Sequence, residues 1–178
     1  HLPISLKILI MKKIIYSLFA LVFLLSCDKD DEKVVTNTDK ELLEMSIKTN
    51  GFTWYKKSDA LLDKSSGSAH NYPFLKTRFN AVAASQLTEE GKVKAGAVFP
   101  EGSLIVKELR NDASSVARYA VLYKKSGHEF ADAKGWVWGY INADGTVNQP
   151  ASKKGSACIS CHSQAENIDY MLMNKYFQ

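Results

Sequence analysis

The sequence predicts a sheet-rich α+β domain: an antiparallel sheet with short flanking helices and a C-terminal helix that begins at a cysteine motif. Three runs in the second half of the chain are rich in aromatic and β-branched residues, and short turns separate them. Connections this short favour antiparallel neighbours. The helical patterns lie near the two ends of the domain.

The first half of the domain has shorter and weaker patterns. Residues 39–47 predict a short helix with Asp39 as its cap, and residues 51–55 are predicted to be extended. Residues 64–68, Lys-Ser-Ser-Gly-Ser, predict a loop. The pattern of residues 74–87 fits either a strand that runs into a helix or one long helix.

The second half carries the strand predictions. A Pro-Glu-Gly turn at residues 100–102 precedes the first strand, and Asn-Ala-Asp-Gly at 142–145 predicts a hairpin turn after the third. The third strand alternates large aromatic residues, and we expect one of Trp136 and Trp138 to pack inward while the other faces a second surface. A final helix is predicted over residues 169–176. The three strands cover residues 103–109, 116–123 and 135–141.

Residues 158–162 read Cys-Ile-Ser-Cys-His, the signature of covalent c-type haem attachment. Thioethers would join the two thiols to the haem vinyl groups. The three-residue spacing is close to one helical turn, so Cys158 and Cys161 can face the same porphyrin edge. His162 can then bind the iron as the proximal ligand. The motif therefore predicts one covalently bound haem c.

Other uses of this motif fit the sequence less well. A structural zinc site normally needs a second pair of Cys or His ligands, and the remaining histidines (His1, His70 and His128) are scattered. A thioredoxin-like pair would be expected in a βαβ setting early in the chain, whereas this motif lies near the C-terminal end.

The N-terminal residues predict export. Residues 11–27 have a basic start, an apolar run and a small residue before Cys27, as secretory signal peptides do. Their ending, Leu-Leu-Ser-Cys, resembles a bacterial lipobox, which makes Cys27 a predicted lipidation site. The apolar run over residues 14–25 is short for a transmembrane helix, which needs about 20 residues.

This interpretation divides the chain into three regions. Residues 1–26 are upstream residues plus a lipoprotein signal peptide, 27–38 are a flexible tether, and 39–178 are the haem c domain. Haem c is attached outside the cytoplasm, so both ends of the sequence predict a membrane-anchored lipoprotein that faces the periplasm or the cell surface of a Gram-negative bacterium. Removing residues 1–26 deletes three lysines and no acid, which leaves 20 basic against 19 acidic side chains and no case for nucleic acid.

The strand-rich pattern and the C-terminal position of the haem motif distinguish the chain from ordinary small cytochromes c, which are mostly helical and carry the haem motif near the N-terminus. It resembles the cytochrome P-460 family, whose sheet-rich fold is shared with the beta type of cytochrome c-prime. The resemblance runs from about Phe52 to Tyr170. It rests, in order, on Trp54, His70 ahead of Asn80-Ala81, residues 99–103 leading into 105–108, residues 135–138, the haem motif, and Asp169-Tyr170.

The resemblance implies an iron held by the motif histidine, with its opposite face open or weakly filled. Some members oxidise hydroxylamine with a lysine joined covalently to the porphyrin, and the cytochrome c-prime relatives bind nitric oxide or carbon monoxide. The family pattern places that lysine near the turn before the central strand, but residues 100–102 contain none. Lys92, Lys94 and Lys107 lie nearby and are expected to be solvated charges.

The expected function is that of a mono-haem cytochrome that binds or redox-processes a small nitrogen oxide or other diatomic gas. The alternatives are a six-coordinate electron-transfer cytochrome and hydroxylamine oxidation with a lysine–haem cross-link, so whether the protein is an enzyme stays open. His70 is a tentative distal or haem-near residue. The resemblance also suggests a homodimer, and the redox partner is unknown. Met171 and Met173 are expected to pack, and Arg78 and Arg118 fit either haem propionates or surface ion pairs.

Overall fold

The centre of the molecule is one antiparallel sheet. The computed structural model describes residues 35–178, and the predicted signal peptide, Cys27 and most of the predicted tether lie outside them. The strands are β1 (Thr53–Trp54), β2 (Leu62–Asp63), β3 (Phe74–Phe79), β4 (Leu104–Arg110), β5 (Arg118–Lys124), β6 (Trp136–Asn142) and β7 (Val147–Gln149). Within the described range their order is β1-β3-β4-β5-β6-β7, with β2 paired to β3. The predicted fold class is confirmed.

Short helices flank this sheet. Residues 74–87 contain a strand that runs into a helix, the first of the two alternatives. In the part of the chain that the structure describes, no helix has the length and apolar character needed to cross a membrane. The helices are α1 (Asn37–Ile47), α2 (Ala81–Ala84), α3 (Ile159–His162) and α4 (Met173–Tyr176), with 3₁₀ turns at Tyr55–Lys57 and Ala151–Lys153.

The two faces of the sheet bury separate cores, because successive side chains of a strand point to opposite faces. On one face the strand register places Phe79, Ile105, Leu122 and Trp138 in one row. Trp136 belongs to the same core as Trp138. The expectation that the two tryptophans face different surfaces is therefore wrong, since residues two apart on a strand share a face.

Helix α1 covers the other face. Its Leu42 is buried against Val106, Val121 and Ile141. A Cβ at Gly139 would lie 2.9 Å from the Leu42 side chain, so the glycine lets the helix approach the centre of the sheet. One face is thus closed by a helix, and the opposite face is left to the C-terminal segments.

The start of α1 differs from the prediction. The helix begins at Asn37, inside the predicted tether, and its cap is Thr36 rather than Asp39. Asp39 lies three residues further on and accepts hydrogen bonds from the Thr36 backbone N–H and hydroxyl at 2.8 and 2.7 Å. This is a reciprocal capping box. Its other carboxylate oxygen accepts from the Ala151 N–H at 2.8 Å and ties the helix to the C-terminal half of the chain.

The predicted helix over residues 169–176 is also too long. Asp169 and Tyr170 have φ angles of 46° and 72°, which no right-handed helix contains. Only Met173–Tyr176 is helical.

Arg78 lies on the α1 face and not near the haem motif. Its guanidinium donates to the Glu108 carboxylate and to the Ser46 carbonyl at the end of α1. It also lies 5.4 and 5.3 Å from the ring centroids of Phe52 and Trp54. The propionate and surface-pair roles considered for Arg78 are both wrong, because this side chain is a fully buried link between helix and sheet.

Replacing Glu108 by leucine should destabilise the protein strongly. The variant leaves the Arg78 cation buried without its partner, and such a loss typically costs about 3–5 kcal/mol of unfolding free energy. Chemical denaturation followed by circular dichroism measures the change. Glu90→Gln, at an exposed acid, is the control and should keep the wild-type midpoint. Equal midpoints for Glu108→Leu and wild type would contradict the role assigned to this ion pair.

Candidate functional site

A cavity of about 250 Å³ lies on the sheet face opposite α1. Its floor is apolar and comes from the central strands, with Leu75, Ile105 and Leu122 among its residues. The loop 65–70 forms one wall, and α3 with residues 171–177 forms another. The cavity is therefore built from segments that are far apart in the sequence and meet on one face of the sheet.

The haem motif lies on the wall of this cavity. Cys158, Cys161 and His162 all line it, so the structure brings these three predicted residues together. The motif forms the predicted helical turn, in which the His162 N–H donates to the Cys158 carbonyl at 3.1 Å. Gly155, with φ +70°, precedes it, and a Cβ there would lie 2.6 Å from the Trp138 ring. The close approach of Gly155 seats α3 against β6.

One nitrogen of His162 is already occupied. Its Nδ1–H donates to the Tyr170 carbonyl at 2.8 Å, which leaves Nε2 as the nitrogen with a free lone pair. The Trp138 ring packs edge-on against the imidazole, with centroids 5.4 Å apart. Burial, assisted by the charge of Lys107, lowers the pKa of His162 to about 4, so the imidazole is neutral at physiological pH.

His70 reaches the same cavity from the loop 65–70. Its ring centroid lies 6.5 Å from that of His162, with the ring planes at 68°. The His70 Nδ1 is 3.1 Å from the Tyr140 hydroxyl. Burial is the main cause that lowers the pKa of His70 to about 3, and the charge of Lys107 adds to it. The cavity thus holds two neutral imidazoles, each with Nδ1 engaged by a protein oxygen.

The separation of the two rings suits a shared metal ion. Metal–imidazole nitrogen bonds are about 2.0 Å long, so two imidazoles on opposite sides of one ion have ring centroids about 6 Å apart. The observed 6.5 Å is close to that value. No sequence pattern links His70 to His162, and only the fold places them together.

Lys107 is not a solvated charge, and the expectation for this residue is wrong. The register of β4 places it on the cavity face, in a row with Thr77, Ala120 and Tyr140. The surface that its side chain keeps accessible lines the cavity. Burial lowers the pKa of the Lys107 amine to about 8. Strand alternation along β4 assigns Lys107 to one face of the sheet, but the sequence did not show which face would carry the cavity.

Four further residues considered from the sequence are two methionines, an arginine and a lysine. Met171 and Met173 pack as expected, and the Met173 sulfur accepts from the Thr77 hydroxyl at 3.4 Å. Arg118 lies 4.5 Å from the centroid of the Tyr140 ring, beside His70. Lys94 is exposed, as expected, and its amine donates to the Ser85 carbonyl.

The residues of the cavity fit a haem. Two thiols and a neutral, oriented imidazole are what covalent attachment and iron ligation need. Lys64, Lys107 and Arg118 are close enough to lower the pKa of His70 and would offset the charge of haem propionates. Among residues 35–178, no group of three or more His, Cys, Asp or Glu side chains converges on a metal position. This donor set therefore suits an iron that arrives with its porphyrin nitrogens.

Comparison with known proteins gave one family. The model of that family, described as cytochrome P460, matches residues 53–173. This range includes β1 to β7, α3 and all the cavity residues named above except those at 174–177. A comparison with curated proteins gave no significant match.

Acid should destabilise the folded chain through its two buried imidazoles. The folded-state pKa values, about 3 for His70 and about 4 for His162, lie below the usual value of about 6.5. The unfolded chain therefore binds more protons than the folded chain below about pH 6.5, and stability falls as the pH drops through this window towards about 4 and 3. Urea midpoints at about pH 7 and about pH 4.5 measure the loss. The loss should be smaller in His70→Asn, and an equal loss in variant and wild type would contradict the burial of His70.

Proposed function

Because the chain belongs to the cytochrome P460 family, we propose that it is an exported c-type cytochrome with one haem, attached covalently at Cys158 and Cys161. Family membership makes the chain a haem-binding, and therefore iron-binding, cytochrome. The covalent attachment, the single haem and the iron ligands are the further content of the proposal.

The observation that carries the proposal is the hydrogen bond of His162. Histidines that bind metals usually donate their second ring N–H to a carbonyl or carboxylate, which fixes the tautomer and orients the ring. The Tyr170 carbonyl does this for His162 at 2.8 Å. The bond leaves Nε2 as the ligand nitrogen, on the wall of a cavity that both motif cysteines also line.

The two cysteines suit attachment at one edge of a porphyrin. Cys158 caps α3 and Cys161 lies within it, about one helical turn further on. Each thiol would add across a vinyl group, with a carbon–sulfur bond formed and the thiol hydrogen transferred to the vinyl carbon. Burial raises the pKa of the Cys158 thiol, which keeps this side chain in the uncharged form within the cavity. Both cysteines are free thiols in the structure.

When bound, the haem supplies an iron that changes oxidation state by one electron. The chain supplies the surroundings that tune it. Leu75, Ile105 and Leu122 give the cavity an apolar floor, and the charges of Lys107 and Arg118 act more strongly in apolar surroundings than in water.

His70 decides which cytochrome function the geometry supports best. Its ring centroid lies 6.5 Å from that of His162, close to the separation of two imidazoles that bind one metal ion from opposite sides. His162 and His70 would therefore both hold the iron, and this arrangement supports electron transfer as the function. Binding of nitric oxide or another diatomic gas at an open face, which the sequence favoured, requires His70 to move away.

Removing the His70 imidazole should leave one coordination position of the iron free. The wild-type protein should give a low-spin absorption spectrum, and His70→Ala a high-spin spectrum. Carbon monoxide affinity of the reduced variant should rise at least about tenfold, because the gas no longer competes with an imidazole. His128→Ala is the control, since this imidazole contacts Thr38 and Phe130 instead of the cavity.

Two results would contradict the place of His70. One is a low-spin spectrum in His70→Ala like that of wild type. The other is a wild-type protein that is already high-spin and shifts its Soret band on exposure to nitric oxide or carbon monoxide. The second result would support the open-face function.

A second candidate function is the oxidation of hydroxylamine, and the position of Lys107 favours it. A lysine amine in the haem cavity, with its pKa lowered to about 8, is roughly one-tenth uncharged and nucleophilic at neutral pH, far more than an ordinary lysine. Such an amine is what a lysine–porphyrin cross-link requires. This candidate makes the protein an enzyme, whereas electron transfer does not.

Mass spectrometry of haem peptides separates the two candidates. Hydroxylamine oxidation predicts a haem joined to three residues, with the peptide of Lys107 attached as well as the motif peptide. Electron transfer predicts two thioethers only. Lys107→Met should abolish any third attachment, and Lys94→Met, at an exposed lysine, is the matched control.

We also propose an exported, membrane-anchored location and a set of partners. Haem c attachment outside the cytoplasm agrees with the signal peptide and with lipidation at Cys27, and both place the domain at a membrane facing the periplasm or the cell surface. These N-terminal residues lie outside the described part of the chain, so their sequence alone supports this step. A redox protein, a small nitrogen-oxide ligand for the open-face alternative, and a second copy of the chain are the proposed partners.

A further inference from the structure

The carbonyl that holds His162 belongs to an unusual turn. Ile168 and Met171 exchange two backbone hydrogen bonds, of 2.9 and 2.8 Å, and the two residues between them, Asp169 and Tyr170, have φ angles of 46° and 72°. Two left-handed central residues define a type I′ turn, in which Asn-Gly or Asp-Gly is strongly preferred. Here the second position holds a tyrosine.

A tyrosine at this position is strained. A non-glycine residue in the left-handed region persists only where its surroundings hold it there. The Tyr170 ring is held against Trp138, with centroids 5.2 Å apart, and Lys134 lies 4.1 Å from its centroid. The Tyr170 N–H donates to the Asn167 side chain at 3.1 Å.

Asp169 anchors the other half of the turn. One carboxylate oxygen accepts from the Trp136 indole N–H at 3.1 Å. The second accepts from the Phe99 backbone N–H at 3.0 Å and lies 3.4 Å from the Lys124 amine. The carboxylate is thus bound to β5, to β6 and to the segment before β4, and the turn is fixed relative to the sheet.

We propose that Asp169 is a positioning residue that fixes the Tyr170 carbonyl on Nδ1 of His162 and so tunes the iron ligand. The inference rests on the proposed function, because it concerns the bond between His162 and a haem iron. A well-placed acceptor on Nδ1–H makes the imidazole a stronger electron donor. This favours the oxidised iron and lowers the reduction potential.

The decisive variant is Asp169→Asn in the haem-loaded protein. Asparagine tolerates positive φ as aspartate does, so the backbone conformation stays accessible. The asparagine side chain has one acceptor oxygen in place of two and no charge to pair with Lys124, so fewer interactions fix the turn to the sheet. We expect a higher reduction potential. We also expect the Nδ1 proton of His162, observed by NMR in the reduced low-spin protein, to exchange with water faster than in the wild type, because the carbonyl that accepts it is held less firmly.

Glu166→Gln is the matched control. Glu166 is another acid of the C-terminal segment, but its exposed carboxylate lies 3.6 Å from the Lys175 amine and holds neither the turn nor Trp138. The variant removes the same charge and should shift the potential by charge alone, with the exchange rate of the Nδ1 proton unchanged. Equal acceleration of exchange in the two variants would overturn the inference, because it would indicate general loosening of the site.

The remaining outcomes distinguish a failure of the proposed function from a failure of this inference alone. A wild-type protein without covalent haem overturns the proposed function and this inference together. A haem-loaded Asp169→Asn with wild-type potential and exchange rate overturns only the inference. If Asp169→Asn does not fold, the wild-type protein decides alone, since a rapidly exchanging Nδ1 proton on His162 contradicts a carbonyl held in place and a protected proton supports it.

Discussion

The site depends on one hydrogen bond, from Nδ1–H of His162 to the Tyr170 carbonyl. This bond selects the tautomer of the imidazole and leaves its other nitrogen free on the cavity wall. The motif alone brings the thiols and the imidazole into one helical turn, but it does not orient the ring. Orientation comes from a second segment of chain, which the sheet holds through Asp169 and the packing of Tyr170 on Trp138.

The two faces of the sheet have different roles, since one packs against α1 and the other carries the cavity. On one face, helix α1 and the buried pair of Arg78 and Glu108 form a closed core. The other face can then present a polar and ionisable set to the cavity without exposing the interior to water. Burial on that face also keeps His70 and His162 neutral, which is the state that the proposed iron ligation requires.

The sequence predicted the parts of the structure that depend on local spacing. Strand alternation gave the antiparallel sheet, and the five-residue motif gave the haem turn and its three residues. It named His70 only as a tentative haem-near residue and did not predict that Lys107 faces the cavity, because both positions depend on which sheet face α1 covers. It also assigned Asp169 to a helix, since only contacts with distant residues such as Trp136 hold the turn in its left-handed conformation. Short-range pattern therefore predicted the cysteine–histidine motif as the attachment site, and long-range packing determines which residues surround the cavity.

The central claim is that one iron lies between His162 and His70. Electron paramagnetic resonance of the oxidised wild-type protein tests it most directly, because the spectrum reports both the presence of haem iron and its axial ligands. The account predicts one low-spin ferric haem with the signal of two imidazole ligands. A high-spin ferric signal, or a purified protein that carries no haem, would contradict it.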